Sequence, residues 1–161
     1  VAVLDGGFAK WTKEGRDVTV DVPLFTPFNY PIKPRAGDAV DVRTVERTRM
    51  LLVDARAPAR YRGEQEPIDP VAGRIPGAKN RFNMDNLTPE GTFKPSSALK
   101  QEFQAVLQGR SPAEVVHYCG SGVAACHNLL AMEIAGLQGG KLYAGSWSEW
   151  SADPQRPQER G

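Results

Sequence analysis

The chain is poor in the residues that build covalent or metal-bound scaffolds: among 161 residues there are two cysteines and two histidines. Cys119 and Cys126 are too few for a secreted disulfide framework, and with His117 and His127 they do not form a zinc pattern, so no metal and no cofactor is expected. An excess of either charge is also missing. Twenty Lys and Arg face 19 Asp and Glu, a formal charge of +1, which points away from nucleic acid and anionic lipid as partners. No apolar run reaches the roughly 18 residues of a membrane span, because the longest candidate, Asn128 to Leu137, is broken by Glu133. A basic-then-apolar leader is absent, which fits a reducing cytoplasmic setting. Sixteen Gly and 13 Pro stay below the share, roughly 25–30%, that marks low-complexity disorder. With 40% hydrophobic residues the chain has material for one ordinary core.

What is present alternates. Asp38 is expected to cap a short helix running to about Arg49, followed by an apolar strand Met50-Leu51-Leu52-Val53 that ends at Asp54. Ser96 or Ser97 is expected to cap a second helix, whose Leu99, Phe103, Val106 and Leu107 recur at helical spacing before Gly109. Val115-Val116-His117-Tyr118 reads as a buried strand, Val123 to Ala135 as a helix ended by Gly136, and Lys141-Leu142-Tyr143 as a last strand. Strands alternating with helices predict an α/β fold: a three-layer sandwich with a mostly parallel sheet of about five strands and helices on both faces.

In such sheets ligands gather beyond the carboxyl ends of the strands, where Cys119-Gly120-Ser121-Gly122 follows the strand ending at Tyr118. Two glycines in three residues let successive amides turn toward the sulfur, and the next helix adds a positive end worth about 0.3–1 kcal/mol. Each charge-assisted hydrogen bond to a thiolate adds about 1.5–3 kcal/mol. Lowering a thiol pKa from ~8.5 by two units takes ~2.7 kcal/mol, so one or two such bonds suffice for an activated nucleophile. The plain alternative is a small buried residue at a strand end. Cys126 is expected as a small core residue, with a resolving thiol as the alternative. Neither Gly6-Gly7 nor Gly120-Ser121-Gly122 carries the Lys of a phosphate loop. A cysteine phosphatase needs an arginine six positions after its cysteine, where this chain has Ala125.

The two ends repeat one another. Asp5-Gly6-Gly7-Phe8-Ala9-Lys10-Trp11 aligns without gaps on Ala144-Gly145-Ser146-Trp147-Ser148-Glu149-Trp150, and both follow short apolar runs. A duplication makes residues 1–16 the end of a preceding domain, 17–36 a Pro-rich linker laid over the surface, and 37–161 a second domain whose complete copy of the repeat ends near Ala152. Val1 to Leu4 is expected as a short strand, so the chain is expected to begin inside something larger.

Five motifs stand in order: Leu52-Val53-Asp54-Ala55-Arg56, Arg60-Tyr61-Arg62-Gly63, Gly73-Arg74-Ile75-Pro76-Gly77-Ala78, Cys119-Gly120-Ser121-Gly122-Val123 and Gly145-Ser146-Trp147-Ser148-Glu149-Trp150. Together they resemble the rhodanese superfamily, in particular the catalytic second domain of tandem-domain thiosulfate and 3-mercaptopyruvate sulfurtransferases. The resemblance implies that Cys119 takes a sulfane sulfur from a small anionic donor and passes it, as a persulfide, to cyanide, a thiol or a protein thiol such as a thioredoxin-like partner. It implies that the amides of Gly120, Ser121, Gly122, Val123 and Ala124 hold the persulfide, that Ser121 polarises the leaving group, and that Arg60 binds the donor. An N-terminal rhodanese domain of the same parent chain is the implied intramolecular partner. Arg56 is expected in a structural ion pair, Asp54 as an orienter of backbone or arginine groups, and Trp147 and Trp150 as core or rim aromatics.

The chain departs from the family pattern at named places. Cys-Gly-Ser-Gly-Val resembles the mercaptopyruvate type, yet the second arginine of that type, nine residues after Arg60, is Asp69 here. The donor stays open between the two. Ala124 stands where a threonine is usual and Arg74 where a histidine is. The competing reading is a non-catalytic rhodanese-like interaction module.

Overall fold

The computed structural model describes residues 2–33 and 37–161. Its sheet is formed by β1 (Ala39–Val40), β2 (Leu51–Asp54), β3 (Lys79–Asn80), β4 (Val115–Tyr118) and β5 (Lys141–Tyr143), all parallel, in the order β1-β5-β4-β2-β3. The helices are α1 (Gly7–Lys13), α2 (Val42–Arg47), α3 (Pro58–Tyr61), α4 (Ser96–Leu107), α5 (Val123–Ile134) and α6 (Ser146–Ser151). Two 3₁₀ turns, Asn83–Asn86 and Pro112–Glu114, complete the elements.

β2 and β4 lie inside the sheet and are buried at every position, which is why both read as nearly unbroken apolar runs. Successive side chains alternate between faces. Leu52, Val116, Tyr118 and Tyr143 meet Val45 of α2 and Trp147 and Trp150 of α6, while Leu51, Val53 and Val115 meet α4 and α5 through Leu99, Phe103, Leu107, Ala131 and Met132. These two cores are the outer seams of a three-layer α/β sandwich.

Several local expectations are corrected. Asp38 caps no helix; its carbonyl accepts from Leu142 N at 2.8 Å, tying the chain to β5. The cap of α2 is Asp41, whose Oδ1 accepts from Thr44 N at 2.9 Å. Neither serine caps α4: Pro95 precedes the helix, and the Ser96 hydroxyl donates to Ile134 O. Gln108 enters the left-handed region at φ 51 and ends α4 one residue ahead of Gly109. Residues 2–4 form no strand, and Val1 lies outside the described residues, as do residues 34–36 of the linker. Linker residues 17–33 have no regular secondary structure and are not laid on the domain, since Val20 is 97% and Leu24 100% exposed. The terminal repeat has a structural counterpart in two short helices, α1 and α6, each entered through a glycine, but Trp147 and Trp150 are buried while Phe8 is 67% exposed.

Candidate functional site

The loops after β2 and β4 part to opposite faces of the sheet: α3 leans through Tyr61 on the α2/α6 side, and α5 packs on the other. Between these adjacent strands a crevice opens at their carboxyl ends, where open parallel sheets hold ligands. It is a cavity of about 510 Å³ containing Cys119, Gly120, Ser121, Val123 and Ala124 on one side and Arg56, Arg60 and Phe82 on the other. A second concavity of about 550 Å³, between α5 and β5, contains no thiol or imidazole.

Cys119 is held low in this cleft, 3% exposed. Its amide donates to Ser146 Oγ at 3.1 Å, and its carbonyl accepts from Trp147 N at 3.0 Å. Ser146 donates in turn to Tyr143 O at 2.9 Å, so one hydroxyl links the ends of β4 and β5. Ser146 does this from φ 55, a costly conformation for a residue with a Cβ. The next carbonyl, Gly120 O, accepts from Ser148 N at 3.0 Å. With the carbonyls drawn toward α6, the amides of Gly120, Ser121, Gly122, Val123 and Ala124 have no acceptor among the described residues. Five successive free donors before and within the first turn of a twelve-residue helix form an anion cradle.

That cradle differs from the expected one in one respect. None of the five amides makes a hydrogen bond to the Cys119 thiol; the backbone of Cys119 is tied to Ser146 and Trp147 of α6, and its side chain packs with Ala55 and Ala125. Gly122 is also set apart: it is buried, sits at φ 84, and a Cβ on it would stand 2.8 Å from Ala144 O. Its side-chain position faces that carbonyl and not the cleft, so glycine is required there by the turn.

Arg60 lies over the loop, with its guanidinium nitrogens 3.5 and 3.6 Å from where a Cβ of Gly120 would be. Its Nη2 donates to Glu66 Oε1 at 2.5 Å and faces Asp69 Oδ2 at 3.4 Å; Nη1 has no partner among the described residues. Beneath it, Arg56 is 3% exposed, donates to both Asp54 oxygens and to Glu66, and spans the Trp147 ring at 5.1 Å. Burial lowers the Arg56 pKa, but the hydrogen bond and charge of Asp54, joined by Tyr118 and Glu66, turn the net shift upward. Burial likewise opposes ionisation of Glu66, yet Arg60 and the amides of Asp69 and Ile68 hold its carboxyl below the usual range. Asp54 also accepts from Arg56 N at 2.9 Å, the orienting role expected of it.

The sequence-derived residues therefore converge: Cys119, Gly120, Ser121, Val123, Ala124 and Arg60 share one cleft. Cys126 does not join them. It is exposed, outside the core where it was expected and away from the cleft wall, because α5 buries the neighbouring Ala125, Asn128, Ala131 and Met132 instead. Residues given no site role from the sequence complete the cleft: Ser146 and Ser148, from the last of the five motifs, and Phe82 and His127, each brought in by tertiary packing. Arg74, in the place of the usual histidine, is buried over Tyr61 at 4.4 Å, pairs with Glu159 and donates to Gly161 O at 2.7 Å, fastening the C-terminal tail.

A parallel sheet with a cysteine at the base of a free-amide loop, facing an arginine, defines an α/β domain with a thiol-bearing cleft at its strand ends. The chain belongs to the rhodanese-like domain family, whose model matches residues 38–153. It is 47% identical over 165 residues to a probable 3-mercaptopyruvate sulfurtransferase of Pseudomonas aeruginosa, covering 100% of this chain and 58% of that protein. It is 35% identical over 159 residues to the thiosulfate sulfurtransferase of Mus musculus, covering 93% of this chain and 52% of the relative. Among solved structures, a persulfide form of EanB with ergothioneine superposes at TM-score 0.82 and 29% identity, over 98% of this chain and 41% of the other. The chain thus spans a little over half the length of the curated relatives it matches.

Proposed function

We propose that this chain is the catalytic domain of a sulfurtransferase that carries sulfur as a Cys119 persulfide. The observation that supports it most is the buried thiol beneath five acceptor-free amides. In the first half-reaction the Cys119 thiolate attacks the sulfane sulfur of thiosulfate, or the thiol sulfur of 3-mercaptopyruvate. A new S–S bond forms as sulfite or the pyruvate fragment leaves with the electron pair of the broken bond. In the second, cyanide or a thiol attacks the outer sulfur and the electrons of the S–S bond return to Cys119. An S–S bond of about 2.05 Å carries the outer sulfur beyond Cys119 toward the loop, where the free amides stabilise its charge. Ser121, exposed at the cleft mouth, donates to the departing group, and the free Nη1 of Arg60 attracts the anionic donor. The names of the relatives support both donors.

The parent protein carries a preceding rhodanese domain, of which residues 1–16 are the end, joined by residues 17–36 to the domain spanning 37–161. The glycine followed by a short helix at both α1 and α6 and the greater length of the relatives favour this reading. Two free thiols suit a reducing cytoplasm, where a thioredoxin-like protein serves as acceptor.

Steady-state transfer to cyanide, read as thiocyanate, tests the proposal. Ping-pong kinetics are expected for the natural protein and no turnover for Cys119→Ser. Turnover by that variant overturns the proposal, and an inactive natural protein favours a binding module of the same fold.

A further inference from the structure

His127 forms part of the cleft wall that holds Cys119. It lies on α5 four residues after Val123 and three after Ala124, so the three share one helical face. Its ring stacks on Phe93, with centroids 4.6 Å apart and 26° between planes.

The proton on this ring can be located from its neighbours. Asn86 is fully buried, and its Oδ1 lies 3.0 Å from Arg81 Nη2, a group that only donates. Asn128, also fully buried, donates through Nδ2 to Arg81 O at 2.8 Å, which turns its own Oδ1 toward Asn86. Both amides are therefore fixed in orientation. Asn86 Nδ2 donates to Asn128 Oδ1 at 2.7 Å and faces His127 Nδ1 at 3.2 Å, so Nδ1 accepts and carries no proton. The neutral imidazole keeps its proton on Nε2, which has no partner among the described residues and is not a buried unpaired atom. Burial also lowers the pKa of His127, which favours this neutral form.

We propose that Nε2–H of His127 is a catalytic hydrogen-bond donor for sulfur loading, bonded to the oxygen of the fragment that leaves the donor. The proposal rests on the sulfurtransferase reading above. With 3-mercaptopyruvate, the Cys119 thiolate bonds to the thiol sulfur and the C–S bond breaks. Its electron pair becomes an enolate whose negative charge develops on the carbonyl oxygen. The proton of the donor's thiol ends on carbon, giving pyruvate, and the persulfide retains the single negative charge. His127 keeps its own proton throughout and stabilises the enolate oxygen. Asn86, held by Arg81 and Asn128, is the positioning residue that keeps Nδ1 an acceptor.

Single-turnover loading measured with two donors tests this: 3-mercaptopyruvate, whose leaving fragment bears an oxygen, and inorganic polysulfide, whose leaving fragment has none. His127→Phe should load from 3-mercaptopyruvate about a hundredfold more slowly than the natural protein and from polysulfide at an unchanged rate. His127→Leu is measured in the same way should the larger ring prevent folding. His127→Gln, which restores a donor near the Nε2 position, should return loading to within about tenfold of the natural rate. Natural-rate loading by His127→Phe or His127→Leu from 3-mercaptopyruvate, equal slowing with both donors, or no recovery in His127→Gln overturns the role of His127. Failure of the natural protein to load from either donor counts against the sulfurtransferase reading itself.

Discussion

Asp69 sets its two carboxylate oxygens on opposite tasks: Oδ2 stands 3.4 Å from Arg60 Nη2, and Oδ1 accepts the Ser148 hydroxyl at 2.6 Å. The residue that replaces a second arginine thus joins Glu66 in offsetting the charge of the first. Asp69→Asn keeps an acceptor for Ser148 and removes one negative charge, worth about 1–2 kcal/mol toward an anion in the cleft at an effective dielectric of about 20. KM for thiosulfate should fall about tenfold with kcat little changed. The effect should shrink with added salt. An unchanged KM means that Asp69 does not govern donor binding.

Arg56 is a buried cation serving two carboxylates, Asp54 and Glu66, whose side chains are 0% and 3% exposed. Arg56→Met strips Asp54 of its buried charge partner and leaves Glu66 with Arg60 alone as a cation. Such a loss costs about 3–5 kcal/mol, to be read from the urea midpoint of unfolding. A change below about 1 kcal/mol contradicts the view that this pair anchors the wall of the cleft.

Gly122→Ala places a Cβ 2.8 Å from Ala144 O at φ 84. The left-handed backbone costs about 1–2 kcal/mol, and relief of the contact requires the loop to shift. Both stability and the rate of persulfide formation should fall, whereas Gly91→Ala, also at positive φ but with nothing within 4 Å of its Cβ, should affect stability alone.

His117 titrates against folding. Full burial pushes its pKa from 6.5 down to about 4, with Nε2 3.0 Å from Met132 Sδ and Nδ1 unpaired. A depressed histidine pKa means that the unfolded chain binds the proton first. Its contribution is intact above pH 6.5 and is lost as pH falls toward 4, by up to about 3 kcal/mol. In His117→Leu this component of the pH dependence should vanish from urea unfolding curves between those limits. A slope equal to that of the natural protein would show that other groups produce it.

Much of this architecture is written in continuous patterns. Val115 to Tyr118 is apolar at every step but one because the strand is covered on both faces, and Leu99, Phe103 and Leu107 mark the buried stripe of α4. β1 and β3 escape such reading because two residues have no period. Asp38 and Asp41 both precede apolar residues, and only the position of Thr44 N distinguishes the true cap. On α5 the periodicity is blurred by Asn128, a polar residue buried because Asn86 and Arg81 satisfy its amide, and this displaces Cys126 to the exposed side. The cleft itself was readable as a cysteine, a glycine-bearing loop and an arginine. The pairing of Arg60 with Asp69 was not, since the loop between them has no period to read, and the approach of His127 was not, since it depends on Asn86 and Phe93 from a distant segment.

Mass analysis of Cys119 after brief exposure of the protein to 3-mercaptopyruvate or thiosulfate, followed by proteolysis without reductant, addresses the proposed chemistry most directly. The peptide holding Cys119 should gain one sulfur atom, lose it on addition of cyanide, and stay unmodified at Cys126. A Cys119 peptide of unaltered mass with both donors, or sulfur found on Cys126 instead, contradicts transfer through this cleft.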